Sequence, residues 1–350
     1  MTCFFQFKTN RFLYTGLLIL FWIGVILPHA DARSKQQYTL TGRTMGTVYK
    51  IKYITDEKAS PKFWQKRVEA RLSEINRRLS MFDPDSELSR FNISPPGSFG
   101  PISDEFFTII QTAESLHRMT GGAWDGTIKP LVDLWGFGTR TPPDHLPETQ
   151  AVRRALSNTG FHHIRITPGN RLAKSHPVTL DLGSIAKGYG VDALAQLFIQ
   201  EGIKDLLVEI GGELYGSGRN KRGQFWSVGI SRPEADFTRQ RLYKIIRLDH
   251  RAIATSGNYR NFYERNGRIY SHIIDPKTGF PVTNEIVSAS VISSDCTFAD
   301  GLATALMVMD VQDGIDLVNT LKGTECLIVQ KKGERFIDHT SENFDQLLIK

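Results

Sequence analysis

Cysteine is scarce, with three in 350 residues. Cys3 stands at the extreme N-terminus, and Cys296 and Cys326 sit among residues of strand type with neither a CxxC nor a Cys/His spacing. A zinc site is therefore without support; the two late cysteines either pair in an oxidising compartment or stay buried as unlinked thiols. Runs of one charge are also missing. The 43 Lys and Arg residues are scattered against 37 Asp and Glu, a formal +6, which speaks against a nucleic-acid track and for a mild positive field that suits a small anionic ligand. Gly216-Ser-Gly218 lacks the third glycine of a nicotinamide dehydrogenase fingerprint. No repeat or low-complexity segment is evident.

Only one long apolar run occurs, from Phe12 to Leu27, behind Lys8 and Arg11 and ahead of Ala30-Asp31-Ala32. This is the pattern of a secretory signal peptide, and the run is short for a membrane span, so an uncleaved inner-membrane anchor is the second reading. Residues 1–32 are set aside. Residues 33–350 are long enough for one large or two intimately packed lobes.

Within that body, Tyr49, Ile51 and Tyr53 alternate as a half-buried strand does. Ser60 and Pro61 open a helix whose apolar positions are Trp64, Val68, Leu72, Ile75 and Leu79. Ser103-Asp104-Glu105 opens another, running through Ile109, Ala113 and Leu116 to Gly121-Gly122. Helix and strand alternate loosely as far as Gly211-Gly212, after which strands follow one another, and Asn266-Gly267 marks a type I′ hairpin. The fold class is α+β with mixed or antiparallel sheets and packed helices, not a doubly wound sheet.

Four segments carry candidate chemistry. Asp181-Leu-Gly-Ser-Ile-Ala-Lys187-Gly-Tyr-Gly reads as a glycine-rich strand-to-helix junction, where free backbone N–H groups and a lysine suit a phosphate, or where glycine serves a tight turn. Asp300 and Thr304, four apart near a helix start, project a carboxylate and a hydroxyl from one face; such oxygen donors suit Mg²⁺. Thr297-x-x-Asp300 equally fits a capping box, and Thr304 equally bonds back to a carbonyl. His272, on a strand ending in a Pro- and Gly-rich turn, is a candidate general base or a structural histidine, and Asp275 caps that turn. The loop from Gly121 to Gly138, with Trp124, Asp125, Trp135 and Phe137, either walls a planar ring or simply packs.

Taken in order, these pieces resemble one family. Thr44-Met45-Gly46-Thr47, Asp85-Ser86-Glu87-Leu88, the Asp125 to Trp135 loop, Asp181 to Asp192, Glu209-Ile-Gly-Gly-Glu213, Ala254-Thr-Ser-Gly-Asn-Tyr259, His272 to Gly279 and Asp300 to Thr304 are similar to the ApbE family of FAD:protein FMN transferases. The resemblance implies a flavin cleft between packed lobes and an exported, periplasmic enzyme. It further implies Mg²⁺-dependent cleavage of FAD, with FMN joined by a phosphoester to a Thr or Ser hydroxyl of a client and AMP released. The implied clients are subunits of membrane redox complexes such as the sodium-pumping NADH:quinone reductase. Met45, Phe82, Ala123, Trp124, Asp125, Asp181, Lys187 and Ile273 would line the flavin nucleotide. The Ala186 carbonyl, Asp300 and Thr304 would hold the metal, and His272 or Asp181 would be the base. Phe82 departs from the tyrosine of many relatives, Gly126 is smaller than usual, and the lipid-attachment cysteine of many relatives is missing. A Mg²⁺-dependent FAD pyrophosphatase and a non-catalytic flavin carrier are the rival functions.

Overall fold

The computed structural model describes residues 35–56, 60–138, 145–234, 241–259 and 261–349. The expected leader and the Pro142-Pro143 loop lie outside the described residues. In the first half, β1 (Gln36–Thr44), β2 (Thr47–Thr55), α1 (Pro61–Leu79), α2 (Glu87–Ile93), β3 (Gly97–Phe99), α3 (Asp104–Met119), α4 (Lys129–Leu134) and α5 (Thr149–Leu156) precede β4 (Ile164–Thr167) and β5 (Arg171–Lys174). Then come α6 (Gly183–Gln200), β6 (Asp205–Ile210), β7 (Glu213–Ser217), β8 (Trp226–Ser231), β9 (Leu242–Leu248), β10 (Arg251–Gly257), β11 (Phe262–Arg265), β12 (Arg268–Ser271) and β13 (Ile286–Ser293). The chain closes with α7 (Cys296–Leu306), α8 (Val311–Thr320), β14 (Glu325–Lys332) and β15 (Arg335–Thr340).

Eight strands form the main sheet in the order β1-β2-β6-β7-β10-β13-β14-β15, and each neighbouring pair is antiparallel. Strand alternation sends one set of side chains to each face. On one face Tyr49, Ile51, Tyr53 and Val208 pack against Trp64, Val68 and Leu72 of α1 and Val191, Leu194 and Phe198 of α6. On the other, Leu207, Ile253, Ile292 and Leu327 meet Trp226 and Val228 of the β8–β9 ribbon. The body is α+β as expected, and residues from Lys35 onward form one unit by their contacts, so any lobes are intimately packed. No described helix is long and apolar enough to cross a membrane.

The helix signals of the sequence work as caps. Ser60 Oγ accepts from Phe63 N at 3.3 Å, with Pro61 in the first turn; Ser103 Oγ accepts from Phe106 N at 3.2 Å. Gly122 N donates to His117 O at 2.8 Å, with φ of +81°, closing α3 as a glycine C-terminus should. Asn266 and Gly267, at φ +51° and +72°, make the hairpin between β11 and β12. Cys296 and Cys326 are buried, free thiols.

Two local expectations need correction. An irregular stretch, not a strand, leads into α6, and its glycines at 183, 188 and 190 are not in the left-handed region. Gly188 is required for another reason: a Cβ there would lie 2.4 Å from the carbonyl oxygen of Cys296, so it lets α6 and α7 touch. The capping box also fails. Asp295 caps α7, accepting from Phe298 N at 2.7 Å, and Thr297 instead bonds across to α6.

Candidate active site

The site grows from the α6–α7 contact. Asp192 of α6 accepts from Cys296 N (2.9 Å), Thr297 N (2.8 Å) and Thr297 Oγ1 (2.6 Å), satisfying groups of the first turn of α7 that the helix itself leaves open. Burial and then the nearby Asp295 carboxylate raise the Asp192 pKa to about 7. This clamp, with Gly188 beneath it, aligns the two helices so that Gly188 N donates to Asp300 Oδ2 at 3.1 Å.

Lys187 then faces two carboxylates. Its Nζ lies 3.0 Å from Glu213 Oε1 and 3.4 Å from both Asp300 oxygens. It is thus not the free phosphate-seeking cation that the motif suggests. Burial alone would lower its pKa, but Asp300 and Glu213 outweigh that and raise it. Asp300 is raised to about 7, first by burial and also by Glu213, against the pull of Lys187. Both values rise for a shared reason: one lysine cannot neutralise two buried carboxylates, so the group carries excess negative charge. Glu213 Oε2 is buried and has no hydrogen-bond partner among the described residues. Thr304 Oγ1 lies 3.1 Å from Ser256 Oγ and donates to the Asp300 carbonyl at 3.3 Å.

A loop walls the opposite side. Trp124 is buried, its Nε1 donating to Ser184 Oγ at 3.0 Å. The Asp125 carboxylate is committed to shaping the loop: it accepts from Thr127 N, Thr127 Oγ1 and Phe161 N at 2.8, 2.6 and 3.1 Å. Gly126 is small because a Cβ would press on the Trp124 ring at 3.0 Å. Asp181 N bonds Gly126 O at 2.7 Å, and Asp181 Oδ1 accepts from Gly183 N at 2.8 Å, which ties this loop to the start of α6. Burial raises the Asp181 pKa.

His272 follows β12. Its Nδ1 lies 3.0 Å from Asn261 O, and because a carbonyl can only accept, Nδ1 carries the proton and Nε2 keeps the basic lone pair. Burial lowers its pKa, the Asn261 carbonyl opposes this, and Lys187 adds to the lowering. Asp275 caps the following turn through Lys277 N and Thr278 Oγ1 at 2.8 and 2.9 Å.

One cleft of about 360 Å³ gathers Ala123, Trp124, Asp125, Asp181, Lys187, His272, Ile273, Asp300 and Thr304, all singled out from the sequence. Three candidates do not line it. Phe82 is 74 % exposed, Met45 sits in the β1–β2 turn with its side chain towards Gly190, and Ala186 lies in the first turn of α6. Glu213 and Ser256 line the cleft and were not singled out as site residues, nor was the Asp192 clamp. The available signal was the Gly211-Gly212 turn, which folds β7 back and delivers Glu213 beside Lys187.

No cluster of three or more His, Cys, Asp or Glu among the described residues is arranged to hold a metal. A hard dication that takes one or two protein oxygens and leaves the rest to water and phosphate fits better. Asp300 and Thr304 offer a carboxylate and a hydroxyl, and the unpaired Glu213 oxygen beside them marks negative charge still to be balanced.

A sequence model of the ApbE family matches residues 45–328. A Vibrio cholerae serotype O1 protein named FAD:protein FMN transferase is 40 % identical over 317 residues, covering 90 % of this chain and 94 % of that protein. The solved structure of the flavin transferase ApbE from Vibrio cholerae superposes with a TM-score of 0.82 at 40 % identity, covering 90 % of this chain and all of that one. The apo flavinyl transferase ApbE of Pseudomonas stutzeri gives 0.81 at 35 % identity, covering 91 % and 98 %. On these matches, which run through every element that builds the cleft, the chain belongs to the ApbE family.

Proposed function

We propose that the chain transfers FMN from FAD to a Thr or Ser hydroxyl of a client protein in a Mg²⁺-dependent reaction that leaves a phosphoester and releases AMP. As a member of its family it is an enzyme of the flavin-transferase type, with FAD as substrate and a protein as acceptor. The observation that carries the finer reading is the convergence of His272 and the Asp300–Thr304 pair on one cleft, beside the ion-paired Lys187.

The client hydroxyl oxygen attacks the flavin-side phosphorus, the anhydride P–O bond breaks, and AMP departs with the bridging oxygen. His272 takes the hydroxyl proton at Nε2, the nitrogen its Asn261 bond leaves free. Asp181 is the weaker candidate base, since one of its oxygens already holds Gly183 N. Asp300 and Thr304, which line the cleft as Ala186 does not, would hold Mg²⁺, whose contribution would be to offset charge on the phosphoryl oxygens. Lys187 and Glu213 keep the Asp300 carboxylate oriented for that task. A leader of the signal-peptide kind supports export, hence a periplasmic site of action on clients such as subunits of a sodium-pumping NADH:quinone reductase.

Mass spectrometry of such a subunit incubated with enzyme, FAD and Mg²⁺ tests this. Gain of FMN mass by the subunit with release of AMP is expected. Free FMN and AMP with an unmodified subunit would instead mean a pyrophosphatase, and intact FAD a carrier.

A further inference from the structure

A transferase of this kind has a second substrate, the acceptor polypeptide, and the cleft around Asp300 accounts only for the first. Resting on the protein-transfer reading above, we propose that the groove behind the β11–β12 hairpin receives an extended client segment, carrying acidic and apolar side chains, whose acceptor hydroxyl reaches His272 past the hairpin's end.

The hairpin is a partition with two different faces. Its register pairs Phe262 with Ser271, Tyr263 with Tyr270, Glu264 with Ile269 and Arg265 with Arg268, so the tyrosines share one face and Phe262, Glu264, Ile269 and Ser271 the other, while Arg268, in the pair next to the turn, still reaches the groove lining. The tyrosine face leans on the loop that walls the cleft: Tyr263 stacks on Tyr270 at 5.5 Å and on Phe137 at 5.2 Å, and Tyr270 on Trp135 at 5.8 Å. The opposite face lines a separate groove of about 690 Å³, bounded across from it by Val282, Val287 and Phe336. The dividing wall is thin. Ser271 faces the groove and His272 the cleft; Asn258 faces the groove, and Gly257 and Asn261 the cleft.

Three features of the groove suit a polypeptide. Ser271 is 4 % exposed, yet its hydroxyl has no hydrogen-bond partner among the described residues. Buried hydroxyls are ordinarily paired, and a backbone N–H or C=O of a bound segment would complete this one. Ile269 is 65 % exposed and Phe262 40 %, so apolar area stands ready on the same face. Arg268 and Lys331, both exposed in the lining, form no ion pair among the described residues, while the Glu234 carboxylate there is held by Arg232 at 2.7 Å. Glu264 shares the hairpin face but is not among the lining residues, so the surplus within the lining is cationic, and its complement is an acidic segment.

The test uses the purified enzyme, FAD, Mg²⁺ and the flavin-accepting subunit of a sodium-pumping NADH:quinone reductase as probe, with FMN incorporation followed against acceptor and FAD concentration. In the doubly substituted variant Arg268→Glu, Lys331→Glu, kcat/KM for the acceptor should fall about tenfold or more through KM, while the Kd for FAD moves within about twofold. Changing an acidic residue flanking the acceptor hydroxyl to lysine should restore part of that loss. Ser271→Ala should raise the acceptor KM and leave the acid limb of the pH profile in place. An unchanged acceptor KM in the double variant, with the parent modifying the probe normally, overturns the groove alone. A parent that binds or splits FAD but never modifies the probe overturns the transfer reading and the groove with it. A change of sedimentation coefficient in the double variant without a change in acceptor KM would assign the face to self-association instead.

Discussion

The α6–α7 pair and the β11–β12 hairpin, whose flanking residues Asn261 and His272 reach the cleft, contribute to the site by opposite means. The helix pair is buried and interlocked: Asp192 fixes the start of α7, Gly188 admits the contact, and Asp300 is 3 % exposed. The hairpin is a two-stranded ribbon whose outer face is open. Charges close together are worth far more where water is excluded, so oxygen donors for a dication belong on the rigid, dry side. A base that must meet a hydroxyl on another protein belongs where that protein can arrive.

The comparison breaks most severely if the buried half can be altered without effect. Asp300→Ala should reduce flavin transfer about 10³-fold or more and abolish calorimetric Mg²⁺ binding, with the thermal transition of the fold retained. Parent-like transfer would remove the helix pair from the chemistry. On the open half, His272→Ala should slow transfer about 10²- to 10⁴-fold while FAD still binds. Because burial lowers the His272 pKa, its neutral, proton-accepting form persists to lower pH than in an ordinary histidine. With Mg²⁺ saturating, so that Asp300 is held ionised, the acid limb of kcat/KM that disappears in His272→Ala should therefore fall below about pH 6.5, the unperturbed value, and a pH profile that keeps every limb in that variant would exclude His272.

Asp192→Ala tests whether the interlock matters to the site and not only to the fold. It leaves two backbone N–H groups and a hydroxyl without their acceptor, so unfolding should be easier by about 1–3 kcal/mol in denaturant titration. Mg²⁺ affinity should also weaken about 10- to 100-fold, as it does when a ligand's support is removed. Equal affinity with lowered stability would confine Asp192 to a structural role. The smallest effect belongs to Phe82, which is largely exposed and does not line the cleft: Phe82→Ala should change the Kd for FAD by no more than about twofold. A larger loss would mean the cleft extends further than its lining residues.

Much of this was legible in the chain because it is local. Caps at Ser60 and Ser103, the apolar spacing from Trp64 to Leu79 and the Asn266-Gly267 turn each act within one element, and each forms as read. The pairing of Asp300 with Thr304 on one helix face is local too. What escaped depends on contacts between separate elements, two of the three joining segments more than a hundred residues apart. Gly188 looks like phosphate-loop glycine until α7 is seen against it, Lys187 looks free until Glu213 swings round the Gly211-Gly212 turn, and Thr297 looks like a cap until Asp192 claims its hydroxyl.

The hidden cysteines have a practical use. Burial raises the Cys326 thiol to about 12 and the Cys296 thiol well above its ordinary value, so almost no thiolate is present for an alkylating reagent to attack. Cys296 sits at the very base of α7, against Asp192. Its rate of alkylation is therefore a stopwatch for the parting of the two helices, readable without enzyme assay or added dye.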